Sequence, residues 1–146
     1  MPDSFKGKYR YKAGETFTDE RGNAVPGKKD IFSIYALFYE TDDKTEYLDG
    51  SIHDANFRHP NLVAIAMVDA PSAQYPGESD EWIEFDVKFN YVQGKTVDPS
   101  LLAKGAYKIG IVISSSADGD YFKGAVGSTL DIDDLAIINQ NTDNQL

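Results

Sequence analysis

The sequence predicts an all-β protein, folded as an antiparallel β-sandwich. Short segments alternate apolar and polar residues with a period of two, and turn residues separate them. No segment carries a long pattern with the 3.6-residue period of an α-helix. Eight or more short strands divided by turns are typical of a sandwich, and 146 residues suit one domain that can bury a sizeable core.

The first half of the chain contains the strongest predicted strand. Residues 8–12 alternate basic residues with Tyr9 and Tyr11, which predicts a strand with one solvated face, and residues 16–18 form a short strand candidate. Residues 30–40 are apolar on both faces, so a central strand is expected there. One face comprises Phe32, Ile34, Ala36 and Phe38, and the other Ile31, Ser33, Tyr35, Leu37 and Tyr39.

The middle of the chain predicts three more strands and one helical turn. Residues 46–52 and 62–68 form strand candidates, and the first is broken by an Asp-Gly pair. In residues 82–91 the odd-numbered side chains, from Ile83 to Tyr91, are expected to point inward. Residues 98–104 predict one helical turn that is capped by Asp98, with Pro99 at its first position.

Two strands and a glycine-rich loop complete the chain. Residues 109–113 alternate isoleucine with smaller residues, and residues 128–138 carry an apolar set that slips by one position at Asp133 and Asp134. Such a slip predicts a β-bulge, in which two residues lie opposite one. The loop between these strands is rich in glycine and begins with three serines followed by an Asp-Gly turn signal.

Long motifs in three segments resemble one known family. The run SSSADGDYFKGAVGSTLDIDDL is similar to the C-terminal signature of the putative carbohydrate metabolism domain family of Bacteroidetes. Two further stretches resemble it: YKAGETFTDERGNAVPGKKDIFSIYALFYE, and EWIEFDVKFNY followed by KGAYKIGIVIS. The resemblance covers most of residues 9–138. It implies a jelly-roll sandwich with a proposed sugar-binding pocket, and an immunoglobulin-like domain ahead of it in the full-length protein.

The resemblance also sets expectations about domain organisation and location. Residues 1–138 are expected to form a single jelly-roll domain excised from a longer protein, and the polar residues 139–146 a disordered C-terminal tail. The full-length protein is expected outside the cell or on the outer-membrane surface, although this chain carries no signal peptide.

Composition excludes several classes of partner. The formal charge is −10, from 24 acidic and 14 basic residues, which argues against nucleic acid and anionic membrane surfaces because both require basic residues. No apolar run is long enough to span a membrane, so membrane insertion is not expected. The chain contains no cysteine, which excludes disulfides and thiolate metal sites. Nine tyrosines are compatible with a sugar-stacking surface, although tyrosine is also an ordinary strand residue.

The outward face of residues 82–91 predicts a carbohydrate-binding surface. Trp82 supplies an apolar plate on which a sugar can stack, and Glu84 and the polar residues beyond it supply hydrogen bonds. The alternative is that Trp82 caps the end of the core and the remaining residues form a solvated sheet face.

The loop from Ser114 to Phe122 predicts a second part of the same site. It is expected to border a concavity that also contains Trp82 or Tyr35, where its hydroxyls and carboxylates could bond a sugar. Tyr35 could equally be covered by the loop of residues 53–61. The predicted ligand-binding residues are Tyr11, Lys12, Tyr35, Trp82, Glu84, Ser115, Ser116, Asp118 and Phe122.

Signals for catalysis and for metal are weak. Glu84 and Asp86 lie two apart on one strand face, so their Cα atoms are separated by about 6.5–7 Å, which permits the paired carboxyls of a glycosidase. Nothing in the flanking sequence predicts the burial that would raise one pKa, so no catalytic residue is predicted. The two histidines lack metal-ligand spacing, and no metal ligand or cofactor is predicted. By analogy with jelly-roll sugar binders, Asp133 or Asp134 could hold a structural calcium instead of being solvated.

These observations predict a non-catalytic carbohydrate-binding domain. Two alternatives remain from the sequence: a glycoside hydrolase that uses paired carboxylates, and a structural adhesion module of a surface protein.

Overall fold

The chain folds as two packed antiparallel sheets, as a computed structural model describes it for residues 1–140. One sheet has the strand order β5-β1-β9, the second β6-β4-β3-β7, and β2 and β8 form a small ladder. This arrangement confirms the predicted antiparallel sandwich. The strands are β1 (Pro2–Lys12), β2 (Phe17–Thr18), β3 (Ser33–Glu40), β4 (Leu62–Met67), β5 (Ser79–Lys88), β6 (Asn90–Tyr91), β7 (Tyr107–Ser114), β8 (Gly124–Ala125) and β9 (Thr129–Asn139).

Strand β3 is central, as predicted, because both of its faces are buried. The face that contains Ile34 and Phe38 joins the main core between the sheets. The face that contains Tyr35, Leu37 and Tyr39 packs in a second, smaller cluster with Ile52 and Leu62. This second cluster lies on the outer side of the sheet, where loops cover it, and it forms the floor of the candidate site.

Strand β1 is the centre of the opposite sheet and is longer than the sequence predicted. It begins at Pro2 instead of residue 8, because Phe5 is buried on the same face as Tyr9 and Tyr11. Gly7 interrupts this apolar face and obscures the alternation. The position needs glycine, since an added Cβ would lie 2.7 Å from Cζ of Phe85 and 2.8 Å from Cδ2 of Leu135.

Replacing Gly7 with alanine is therefore expected to destabilise the domain by about 1–3 kcal/mol, the usual cost of overpacking a filled core. Chemical denaturation of both proteins measures this difference. Gly22 has a φ of 81°, and no atom lies within 4 Å of a Cβ added there. A Gly22→Ala variant therefore measures the cost of a positive φ without a packing clash. A Gly7→Ala variant as stable as the wild type would contradict the packing described here.

The register of β5 is as predicted, but the strand ends earlier. Phe85 and Phe89 are buried, Ile83 and Val87 are half-buried, and the even-numbered side chains are exposed. Ile83 and Val87 remain partly open because β5 is an edge strand. The prediction of one strand through Tyr91 is wrong, because the chain crosses between the sheets at Phe89 and residues 90–91 pair with β4.

Two other local predictions have opposite outcomes. The strand predicted over residues 46–52 is wrong: a 3₁₀ helix, Gly50–Ala55, occupies this region, and the Asp49 carboxylate caps it by accepting from the backbone N–H of Ser51. The helical turn after Asp98 is confirmed as a short α-helix, Pro99–Ala103, with Asp98 accepting from two backbone N–H groups. No helix in the described residues is long and apolar enough to cross a membrane.

The bulge in β9 is confirmed. The register against β1 shifts between Lys6 and Lys8, and Asp134 has a φ of 55°. A residue with positive φ is a recurrent way to insert the extra residue of a bulge. The predicted tail begins later than expected because Asn139 ends β9, and the prediction of disorder for residues 141–146 lies outside the described residues.

Candidate functional site

A cavity of about 550 Å³ opens on the outer side of β3 and β7. The 3₁₀ helix Gly50–Ala55 forms one wall, and the loop that follows β7 forms the other. Its lining combines aromatic rings with polar groups: Ser33, Tyr35, Asp49, Gly50, Ser51, His53, Asp54, Val112, Ser114, Ser116, Ala117, Asp120 and Tyr121. We refer to it as the Tyr35 cavity.

Tyr35 forms the floor of this cavity. It lies on the outward face of β3 opposite Val112 of β7, and it is only 3% exposed. Its ring packs edge-on against Phe57, with 5.2 Å between the ring centroids. Burial, with the nearby Asp120 and Asp49 carboxylates, raises the pKa of its hydroxyl, which therefore stays protonated and able to donate a hydrogen bond.

The loop wall is held in place by a buried carboxylate. Asp30 is 5% exposed, and its Oδ2 accepts from the hydroxyl of Ser116, from the hydroxyl of Ser128 at 2.7 Å and from the backbone N–H of Ala125 at 2.9 Å. Its Oδ1 accepts from the backbone N–H of Ile31 at 3.0 Å. Asp30 thus joins both ends of the glycine-rich loop to the start of β3.

Tyr11 supports the same loop from inside the sandwich. Its side chain is buried, and its hydroxyl donates to the backbone carbonyl of Ser115 at 2.7 Å. Because the residue is only 1% exposed, what the structure shows for Tyr11 is this support of the loop, and its role in binding stays a prediction.

Replacing Tyr11 with phenylalanine is expected to lower the free energy of unfolding by about 1 kcal/mol, the usual net value of one hydrogen bond. The Ser115 carbonyl would lose this partner while the core kept its shape. Thermal or chemical denaturation measures the change. A phenylalanine variant that is more stable than the wild type would contradict the anchoring role.

The mouth of the cavity carries an imidazole, a phenol and two carboxylates. Nδ1 of His53 lies 3.9 Å from Oδ1 of Asp54 and 4.0 Å from Oδ2 of Asp120. The hydroxyl of Tyr121 donates to Asp54, and this bond raises the pKa of Tyr121 to about 12. Hydrogen bonds from Ser51 hold the pKa of Asp49 below its usual range, so Asp49 stays ionised.

The predicted loop residues divide between the cavity and its surroundings. Ser116 lines the cavity with Tyr35, while Ser115 is tied to Tyr11 through its backbone carbonyl. The Asp118 carbonyl accepts from the backbone N–H groups of Tyr121 and Lys123, and Asp118 is not among the lining residues. Phe122 lies outside the cavity, 82% exposed with a φ of 58°.

Trp82 lies on the other sheet and does not border this cavity. Its ring faces two cations of β1, with Cζ of Arg10 at 4.7 Å and Nζ of Lys8 at 5.2 Å from the ring centroid. Trp82 is 39% exposed, but these cation–π contacts occupy a face that a sugar would need. The expectation that the loop borders a concavity containing Trp82 or Tyr35 is met by Tyr35, and Trp82 lies elsewhere.

Glu84 and Lys12 lie at two further surfaces. Glu84 and Asp86 line a charged hollow of about 410 Å³ together with Lys6, Lys8 and Asp134. Lys12 borders a smaller hollow of about 360 Å³ next to Arg10 and Asp131. The predicted binding residues therefore do not form one site.

The two aspartates for which a calcium ion and solvation are the alternatives lie at the bulge. The Asp134 carboxylate is 3.0 Å from Nζ of Lys8, so this cation already neutralises part of its charge. A calcium ion at Asp133 or Asp134 and solvated carboxylates both stay alternatives.

Sequence reasoning missed His53, Asp54, Asp120 and Tyr121. The two histidines have no metal-ligand spacing in the sequence, and no local pattern distinguishes Tyr121 from Phe122 beside it. The available signal was the Asp-Gly-Asp-Tyr run in the predicted loop together with a second polar loop that could cover Tyr35.

The chain is similar to known proteins over nearly all of its length. A family model described as a putative carbohydrate metabolism domain matches residues 1–138. A crystal structure of a putative glycoside hydrolase from Bacteroides thetaiotaomicron has 43% sequence identity and a TM-score of 0.85, and the match covers 97% of this chain and 39% of that one.

A second crystal structure, of a putative glycoside hydrolase from Bacteroides vulgatus, has 46% identity and a TM-score of 0.84, and the match covers 94% of this chain and 52% of that one. The chain thus spans about half or less of the two solved structures. A search of curated proteins found no match.

Proposed function

This chain belongs to the putative carbohydrate metabolism domain family, and from this premise we propose that it binds a carbohydrate in the Tyr35 cavity without cleaving it. The observation that carries the proposal is the composition of the cavity mouth. The exposed ring of Tyr121 stands beside carboxylates and hydroxyls within one concavity. A sugar needs this combination, because it presents C–H groups on its ring faces and hydroxyls around its edge.

The hydrogen-bonding groups are positioned by backbone structure and not by flexible side chains alone. Asp49 and Ser51 lie at the start of the 3₁₀ helix, Ser114 ends β7, and Ser116 is fixed by Asp30. Preorganised groups cost less conformational entropy when a ligand binds. Each neutral hydrogen bond adds only about 0.5–1.5 kcal/mol net, so the affinity for a single sugar unit is expected to be micromolar to millimolar.

The carboxylates of this cavity lack the environment of a catalytic acid. A glycosidase needs one carboxyl group that stays protonated near neutral pH, usually through burial. The Asp54 and Asp120 side chains are 56% and 48% exposed, and the pKa of Asp49 is lowered. These features favour binding over hydrolysis.

A glycoside hydrolase is the second candidate function, and one distance favours it. Carboxylate oxygens of Asp54 and Asp120 lie within 4.8 Å of each other, close to the separation of about 5–5.5 Å in retaining enzymes. The two similar solved structures are also described as putative glycoside hydrolases.

A glycan-array screen with the purified domain tests the proposal, followed by an assay for reducing ends with each glycan that binds. We expect at least one specific glycan and no release of reducing sugar above a buffer control. Release that disappears in Asp54→Asn or Asp120→Asn would establish the hydrolase instead. An array with no specific glycan would favour a structural adhesion module.

A further inference from the structure

The sandwich is open along one side. The sheet β5-β1-β9 faces the sheet β6-β4-β3-β7, which has one strand more. The chain passes from β5 directly to β6 at Phe89, so these two strands share one side of the sandwich, and β9 and β7 share the other. With the sheets aligned at β5 and β6, β7 is the strand that has no strand opposite it. We refer to this region as the β7–β9 side.

Isoleucines on the inner face of β7 are exposed on this side. Ile109, Ile111 and Ile113 each pair with a β3 residue of the main core, as Ile111 does with Ala36, so their side chains point toward the space between the sheets. They are nevertheless 39%, 42% and 42% exposed. Single exposed apolar residues are common on protein surfaces, but a contiguous row of them is typical of an interaction surface.

Strand β9 extends the apolar row and leaves its own edge free. Leu135 is 39% exposed, although its Cδ2 would lie 2.8 Å from a Cβ added at Gly7, on the inner face of β1. No residue of β7 or β9 is fully buried. Among the described residues, β9 pairs only with β1, so its other edge presents unpaired backbone N–H and C=O groups. A free strand edge therefore runs beside a row of apolar side chains.

The outward face of β9 is acidic. Asp131 and Asp134 form ion pairs with Arg10 and Lys8 of β1. Asp133 is exposed, and its carboxylate accepts from the backbone N–H of the next residue. Opposite charges on neighbouring strands stabilise their pairing and like charges destabilise it, so a strand beside β9 should carry basic residues at its outward positions. The formal charge of −10 favours the same kind of partner.

A single strand fits this side, but a second copy of the chain does not. A second copy that paired its β9 with this edge would bring its own larger sheet beneath the paired strands. Because that sheet extends one strand beyond β9, the β7 strand of the second copy would collide with β3 and β7 of the first. One added strand meets no such obstacle, and it would place every second side chain over the β7 isoleucines.

We propose that the free edge of β9 binds one β-strand of a partner protein by β-strand addition. The partner strand alternates apolar residues, which cover Ile109, Ile111 and Ile113, with basic residues, which lie beside Asp133. Its backbone pairs with the edge of β9, and its apolar side chains complete the core opposite β7. None of these residues of the chain lines the Tyr35 cavity, so this proposal is independent of carbohydrate binding.

Titration calorimetry with two peptides of equal charge tests this proposal. The probe is a peptide of about ten residues that alternates valine with lysine, which is long enough to span most of β9. The control peptide contains the same residues as a block of valines followed by a block of lysines, so it retains the general attraction of a cation to an acidic protein. We expect the alternating peptide to bind at least about tenfold more tightly, because only this peptide separates its apolar and basic side chains onto two faces of a strand.

Replacing Ile111 with threonine keeps a β-branched residue but removes apolar surface from the centre of the row. This variant should bind the alternating peptide at least about fivefold more weakly than the wild type. Val92→Thr is the matched control, because Val92 is similarly exposed, at 39%, and follows β6 on the opposite side of the sandwich. It should bind the peptide as the wild type does, and equal losses in both variants would overturn the proposal.

Hydrogen exchange of the wild type locates the peptide even if the Ile111→Thr variant does not fold. The alternating peptide should slow the exchange of every second amide in residues 130–138. The amides of β5, the other edge strand of the same sheet, should exchange at unchanged rates.

Four further outcomes would also overturn it. Absence of binding, or equal affinity for the alternating and the block peptide, would reject strand addition. Slower exchange in β5 instead of β9 would place the peptide at the other edge of the sheet. Equal affinity for a peptide that alternates valine with glutamate would reject a basic partner. Dimerisation in sedimentation experiments that Ile111→Thr abolishes, without peptide binding, would assign the β7–β9 side to a second copy of the chain.

Discussion

Replacing Asp30 with alanine is expected to destabilise the domain by about 3–5 kcal/mol, since it removes the acceptor of a buried network. Two serine hydroxyls and the backbone N–H groups of Ala125 and Ile31 would lose their partner. For a domain of this size, the melting temperature should fall by roughly 10–15 °C. The loop wall of the Tyr35 cavity would lose its attachment to β3, so glycan binding should fall as well.

Two companion variants define the origin of this effect. Asp30→Asn keeps one acceptor oxygen and should destabilise the domain less than alanine does. Asp43→Ala removes an exposed carboxylate and should change the free energy of unfolding by no more than about 0.5 kcal/mol. An Asp30→Ala protein with the melting temperature of the wild type would contradict the role assigned to the network.

Replacing Tyr121 with alanine is expected to lower glycan affinity by about thirtyfold or more, equivalent to about 2 kcal/mol, without unfolding the domain. The ring is 42% exposed, and it lies 5.6 Å from the imidazole of His53 between centroids. Its loss would remove both the stacking surface and the donor to Asp54. Titration calorimetry with a glycan from the screen measures the affinity.

Tyr121→Phe keeps the ring and should retain most of the affinity, which separates stacking from the hydrogen bond to Asp54. Tyr47→Ala removes another exposed tyrosine, 67% exposed, that does not line the Tyr35 cavity, and it should bind as the wild type does. Equal losses in Tyr121→Ala and Tyr47→Ala would show that binding is not localised at the cavity.

Those features of the fold that depend on local pattern could be predicted from the sequence. Strand β3 is apolar on both faces, and β5 alternates apolar and polar residues. The burial of each strand therefore follows from the pattern of apolar residues within that one segment. The bulge at Asp134 was predictable for the same reason, because the slip in the apolar set is local. The crossing of the chain from one sheet to the other at Phe89 could not be predicted, because the alternation of apolar and polar side chains continues through this residue.

The candidate site could be predicted only in part. The loop after β7 and Tyr35 were both indicated, since one is rich in turn residues and the other lies on the second face of a central strand. The opposite wall was mispredicted as a strand, because the apolar pair Tyr47-Leu48 resembles a strand start while capping by Asp49 favours a helix. In this wall, His53 lies near Asp120, which is more than sixty positions away in the sequence, so no local pattern could predict that they meet.

Trp82 shows why residue type alone did not locate the site. A lone tryptophan on an outward strand face suggests a platform on which a sugar stacks, and polar neighbours such as Glu84 could bond its hydroxyls. The cations that face its ring belong to β1, which lies beside β5 only because of long-range pairing. Lys8 and Arg10 were correctly predicted to lie on a solvated face, but their partner could not be deduced from local pattern.

Chemical-shift mapping tests the central claim most directly. Amide spectra of the ¹⁵N-labelled domain would be recorded during titration with a glycan from the screen. We expect the largest shifts in residues 49–54 and 114–121 and at Tyr35, with little change around Trp82. Shifts concentrated on β5 near Trp82 and Glu84, with the cavity residues unchanged, would contradict the proposal that the Tyr35 cavity binds the carbohydrate.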